Sequence, residues 1–193
     1  MGGSKSKNKG SSFEREVATF MSKLYNESFV RAPHSGAYIG GTNSYRKEYL
    51  SENQAKSFKG DIIPPDGWNQ FNAEAKSYAD FPFHLVLTGE CKQLNSWLDQ
   101  LMAVAESNDV NILFMKFNRK GKFVCVQSKL TWITDQFLYY TSEKYNDWIL
   151  IEFDHFWKYN KDLFKTYASG ANTTDTKSSI ENLKTKDILS TLK

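Results

Sequence analysis

Apolar residues first recur at helical spacing at Phe13, Val17, Phe20, Met21 and Leu24, so the chain from Ser11 predicts an amphipathic helix. Before it, "MGGSKSKNKG" carries no apolar stripe and reads as a flexible basic arm over residues 1–10. "SFVRAP" predicts a short strand ended by Pro33, and residues 34–58 are polar and Gly-rich with no sustained period. A loop of that length in a compact domain is functional or disordered. "GDII" and "FNAEAKSY" predict two strands around "PPDGW", which is strong turn chemistry. "LNSWLDQLMAVAES" is helical through Leu94, Trp97, Leu98, Leu101, Met102 and Ala105, and "VNILFMKF" is a dense apolar strand. "NRKGK" then turns the chain into "FVCVQS", and "DWILIEF" precedes a helix over "DHFWKYNKDLFKTYA". After Gly170 the tail, 169–193, is polar with a weak apolar series at Ile180, Leu183, Ile188, Leu189 and Leu192; it is disordered or docks on a partner subunit. The order predicts an α/β fold, one domain over 11–168, with a single central sheet flanked by helices.

Composition narrows the class. The chain has 193 residues, 40% apolar, ample for one core. A net charge of +3 excludes a histone-like polycation but allows a basic face around an acidic pocket. Cys91 and Cys125 fall in segments that read as buried helix and strand, without zinc-type spacing, which suits a reducing compartment. No apolar run approaches the roughly 18 residues of a membrane span, and no signal peptide is expected. "MGGSKS" fits the myristoylation pattern, one that Gly/Ser/Lys-rich tails meet easily. The expected location is the cytoplasm of a bacterium or phage-infected cell, with no membrane partner.

The chemistry concentrates in "KGDIIPPDGWNQFNAEAKSY". On a strand, Asn72, Glu74 and Lys76 face one way, while Phe71, Ala73 and Ala75 face the other, where the alanines suit close packing of a helix. Alone, Glu-x-Lys is a common chance pattern and reads first as a solvated ion pair. Asp61, directly before Ile62-Ile63, places a second carboxylate beside it at the sheet rim. Two hard carboxylates with waters make a magnesium site, and the ion activates water for phosphodiester attack while Lys76 holds that water or neutralises the phosphorane. Asp66 competes for the Asp61 role, but its turn position suits an Asx-turn better. Ser11 and Glu14 satisfy a capping box, and Glu14 also lies at the shoulder of the apolar stripe, within reach of the rim. Glu16 lies on the opposite shoulder and Arg15 points outward.

With these residues assembled, the sequence resembles the PD-(D/E)xK nucleases, and within them the archaeal and phage Holliday-junction resolvases. "KGSSFERE", Lys9–Glu16, resembles their first motif; Arg31, "HSG" and Asp61 echo the second; Glu74-Ala75-Lys76 stands for the third. The resemblance covers about residues 9–127 and implies a restriction-endonuclease-like core of order αβββαβ with a C-terminal extension. It implies that Glu14, Asp61 and Glu74 hold or orient Mg²⁺, with Mn²⁺ as substitute, and that Lys76 is the catalytic lysine. It further implies phosphate contacts from Arg15 and Arg31 and a loop serine at Ser35. The segment between Ser35 and Asp61 is longer than in the compact resolvases. The implied activity is Mg²⁺-dependent cleavage of four-way junctions by a homodimer. The alternatives are a restriction-like or repair nuclease on linear or flapped duplex, or a catalytically silent DNA-binding module.

Other candidate DNA contacts are the cations Lys5, Lys7 and Lys9, Arg46 and Lys47, and Arg119, Lys120 and Lys122. His34 borders the site; Tyr38 and Tyr45 suit base stacking or loop packing equally. No Walker-type loop appears, so no nucleotide cofactor is expected. His84 and His155 read as ordinary helix-flank residues.

Overall fold

A computed structural model describes residues 3–33 and 59–171, with side chains from Gly10 onward. Helix α1 spans Gly3–Tyr25. It therefore absorbs most of the stretch expected to be a flexible arm, and Ser11 lies inside it rather than capping its start. The reason is cooperative: with Phe13, Val17 and Met21 anchored in the core, each residue added toward the N-terminus needs propagation only, not a new nucleus.

Two short strands follow, β1 (Val30–Arg31) and β2 (Ile62–Ile63), then β3 (Phe71–Tyr78). Helices α2 (Phe83–Leu87) and α3 (Lys92–Met102) lead to β4 (Val110–Phe117) and β5 (Gly121–Gln127). The chain ends its described part with β6 (Leu138–Tyr140), β7 (Trp148–Glu152) and α4 (Phe153–Ser169). The central sheet has five strands in the order β3-β4-β5-β7-β6. β3 and β4 are parallel and the other pairs antiparallel, so the central sheet is mixed. "SFVRAP" and "GDII" do not join it: among the described residues β1 and β2 pair with each other alone, Val30 opposite Ile63 and Arg31 opposite Ile62. Helix α2 and strand β6 were not evident in the sequence.

Both faces of the sheet are covered. Phe13, Val17, Ala73, Ala75, Phe114 and Trp157 pack between α1, α4 and one face. Leu94, Leu98, Leu101, Leu113, Met115 and Cys125 pack with α2 and α3 on the other. Alternate residues of β4 thus enter different cores, which is why that strand is apolar throughout. Cys91, at the N-cap of α3, and Cys125 are buried free thiols. No helix among the described residues is long and apolar enough to cross a membrane.

This arrangement leaves β3 at the sheet edge, with α1 behind it and α3 in front. Residues 34–58 and 172–193 lie outside the described residues, and with them the roles expected of His34, Ser35, Tyr38, Tyr45, Arg46, Lys47 and the apolar series of the tail.

Candidate active site

The site is built on the edge of β3 that no other strand of the central sheet borders among the described residues. The segment Gly60–Asp61 lies along that edge. The Asp61 N–H donates to the Ala73 carbonyl at 2.8 Å, and the Ala75 N–H donates to Asp61 Oδ2 at 2.9 Å. On its other side the Asp61 carbonyl accepts from the Ala32 N–H at 2.8 Å, tying in the β1–β2 pair. Gly60 makes the approach possible. Its φ is +72°, and a Cβ there would sit 2.3 Å from the Ala73 carbonyl oxygen, so only glycine fits.

Alternation along β3 then aims Glu74 and Lys76 at the same face. Asp61 is 3% exposed and Glu74 7%. The two carboxyls are neighbours, and burial first, then the Asp61 charge, pushes the Glu74 carboxyl up to about 7 against the opposing pull of Lys76. Lys76 Nζ donates to Glu74 Oε1 and, at 2.5 Å, to Gln100 Oε1 on α3. Asp66 is exposed in the turn beside Gly67; Asp61 is the aspartate that adjoins Glu74.

Glu14 stands apart from this pair. Its Oε2 accepts from Arg31 Nε at 2.5 Å, with the Glu14 side chain 12% exposed. Among the described residues, no three His, Cys, Asp or Glu groups gather at metal-ligating spacing. The centre is therefore a carboxylate pair with a lysine, and Glu14 approaches its rim through Arg31, which lies opposite Ile62 in the β1–β2 register.

A family model described as "Phage putative PDDEXK endonuclease" matches residues 5–166. The chain belongs to this nuclease family. No curated protein and no solved structure matches the chain. PD-(D/E)xK nucleases work with divalent metal ions, and the donor set here fits one. Two buried carboxylates against one ammonium leave uncompensated negative charge, which is costly to bury. Magnesium characteristically binds through one or two carboxylates, keeping waters and substrate phosphate oxygens as its remaining ligands.

The expected DNA contacts of this PDDEXK nuclease fall into groups. Arg15 is exposed and shares a groove of about 690 Å³ with Lys23, Asn26, Val30 and Arg31. Lys9 lies on α1, with its side chain outside the described set. In the β4–β5 hairpin, Lys120 pairs with Asp80 at 2.5 Å. Lys122 lies 3.7 Å from Glu16, which also binds Lys116 at 2.5 Å, and sits 4.5 Å from the centre of the Phe153 ring. Arg119 is exposed at φ 60°. Sequence reasoning missed Gly60 and Gln100. The signal for Gly60 was available, a glycine directly before the candidate aspartate. Gln100 had none, since it sits on the polar side of an amphipathic helix pattern.

Proposed function

We propose that this PDDEXK nuclease is a Mg²⁺-dependent DNA endonuclease, accepting Mn²⁺ in its place, that acts on branched DNA. The observation that carries the metal-dependent reading is the buried Asp61–Glu74 pair with Lys76 on the edge of β3. Asp61 and Glu74 are the residues that would hold the ion, which supplies charge neutralisation and a more acidic water. Lys76 offers its ammonium to the attacking water or to the charge growing on the phosphate oxygens. Gln100 fixes Nζ in that position. In the metal-free site burial and the Asp61 charge hold a proton on Glu74 up to about neutrality, so taking up the ion there would release it. Arg31, held by Glu14, and Arg15 in the adjoining groove are cations for flanking phosphates. Glu14 itself can join the acidic centre only if Arg31 leaves it for a phosphate. The expected products are a 5′-phosphate and a 3′-hydroxyl.

The four-way junction is the substrate that the "KGSSFERE" resemblance supports. Two opposed cuts would then call for a two-fold homodimer. The test is cleavage of a labelled four-way junction beside a linear duplex of the same sequence, with Mg²⁺, with chelator, and with Glu74→Ala. Paired symmetric nicks confined to the junction, lost with chelator and variant, are expected. Equal cutting of both DNAs would keep the nuclease and overturn the junction. Cutting that survives chelator or Glu74→Ala would overturn the site.

A further inference from the structure

Beyond Lys76, strand β3 ends in a feature the carboxylate chemistry does not use. Tyr78 lies two residues on, hence on the same face and about 7 Å along the strand. It is 47% exposed although its ring packs on Trp97, with centroids 4.9 Å apart. Trp97 is itself buried and stacked on Phe81 at 5.5 Å and 21°, so the exposed ring rests on a rigid base. Trp97 and Gln100 are one turn apart on α3, so that helix backs both Lys76 and Tyr78.

The β4–β5 hairpin starts beside the main chain of Tyr78. Tyr78 pairs in register with Phe117, and the Asn118 N–H donates to the Tyr78 carbonyl at 3.3 Å. Arg119 follows at the tip. The neighbouring cations Lys116, Lys120 and Lys122 are engaged by Glu16 and Asp80. Arg119 has no acidic partner among the described residues. It also holds φ 60°, a conformation that glycine or asparagine adopts at far less cost. Its exposed cation is thus kept at the tip against the local backbone preference.

We infer that Tyr78 and Arg119 form a platform for an unpaired nucleobase next to the scissile phosphate, the ring stacking on the base and the guanidinium taking its phosphate. The inference rests on the nuclease reading for where the scissile phosphate lies. An exposed aromatic together with a nearby cation is the pairing by which proteins hold single-stranded DNA without reading its sequence. In a fully stacked duplex neither base face is open to the ring. The platform therefore selects DNA with an open base face at the cut: an unpaired nucleotide of a flap or gap, or a branch-point base that has lost its stacking neighbour.

The test measures binding by fluorescence anisotropy with Ca²⁺ replacing Mg²⁺, using a duplex with an unpaired flank and a fully paired duplex. Tyr78→Leu should lower the preference for the unpaired flank by roughly 5–150-fold, the range of one base–aromatic stack, and Tyr78→Phe should keep it. With the wild-type protein, an abasic residue walked through the unpaired strand should weaken binding by a similar factor at one position, where Tyr78→Leu adds no further loss. Arg119→Gly should weaken binding and flatten the salt dependence by about one charge, without lowering the melting temperature. The platform is overturned if Tyr78→Leu keeps the preference or no abasic position responds. Cleavage by the wild type in Mg²⁺ is read separately. Cutting without these binding signatures sinks the platform alone, and the signatures without cutting sink the nuclease chemistry alone.

Discussion

Replacing Glu74 by Gln in the metal-free protein should make it more stable at alkaline pH while removing its activity. Glu74 ionises at about 7 in the fold against an ordinary 4.5. A carboxyl whose folded pKa is raised binds its proton more tightly in the native state, so its contribution to stability is lost as pH rises through 7. Below 4.5 both states are protonated and nothing is lost. Above 7 the full difference, about 2.5 pK units or roughly 3 kcal/mol, weighs against the native state. Gln keeps the shape and accepts from Lys76 but never ionises. Urea denaturation in chelator from pH 5 to pH 8 is the assay. The stability of Glu74→Gln relative to wild type should grow by about 2.5 kcal/mol over that range, or roughly 5–10 °C in melting temperature for a chain of this size. Titrating groups away from Glu74 cancel in the difference. Saturating Mg²⁺ at pH 8 should stabilise the wild type and leave the variant unmoved. Parallel pH profiles for the two proteins would refute the claim that burial and Asp61 raise the Glu74 pKa.

Three further outcomes follow from the same geometry. Gly60→Ala forces a Cβ against the Ala73 carbonyl at positive φ and should cost of order 1–3 kcal/mol together with measurable metal affinity by calorimetry; unchanged affinity would show that Asp61 holds its place without Gly60. Gln100→Ala removes an acceptor from Lys76 and should lower kcat about tenfold with little change in DNA affinity; an equal fall in affinity would make Gln100 a DNA contact instead. Asp61→Asn keeps an acceptor for the Ala75 N–H, whereas Asp61→Ala orphans it, so both should lose metal but only Ala should lose a further 1–3 kcal/mol or so. Equal stabilities by urea denaturation would contradict the edge role of Asp61.

Much of this was legible in the sequence because it is periodic or local. The alternation in "FNAEAK" separates the alanines under α1 from Glu74 and Lys76. The apolar pair after Asp61 marks it, rather than Asp66, as the aspartate that enters the core beside β3. The pairing of Glu14 with Arg31 was not legible, since it is decided by how α1 crosses β1, and three acids on a line read equally well as three ligands. The start of α1 was misplaced because the Gly/Ser/Lys stretch has no stripe of its own and is helical only as an extension of a packed segment. β6 is three residues long and α2 five, too short for either period to show. β1 and β2 were legible as strands but not as a separate pair, because pairing partners are set by tertiary contacts and not by local pattern.

The position of the site at the sheet edge has a physical logic. An edge strand offers unpaired N–H groups that invite another chain, and this protein closes part of that edge with Asp61, whose main chain and carboxylate both bond β3. The same carboxylate then stands beside Glu74, so one residue both seals the edge and supplies half of the acidic pair. That coupling explains why the approach needs glycine at position 60, where any side chain would lift the sealing segment off the strand. It also explains why the acids survive burial. Neither is free to swing into solvent: Asp61 is held by backbone and Glu74 by a strand covered on both faces. A pair fixed in this way cannot relieve its repulsion by moving, only by taking up a proton or a cation. The strain is thus converted into affinity for positive charge at one place on the edge, with Lys76, Tyr78 and the hairpin cations in line beyond it.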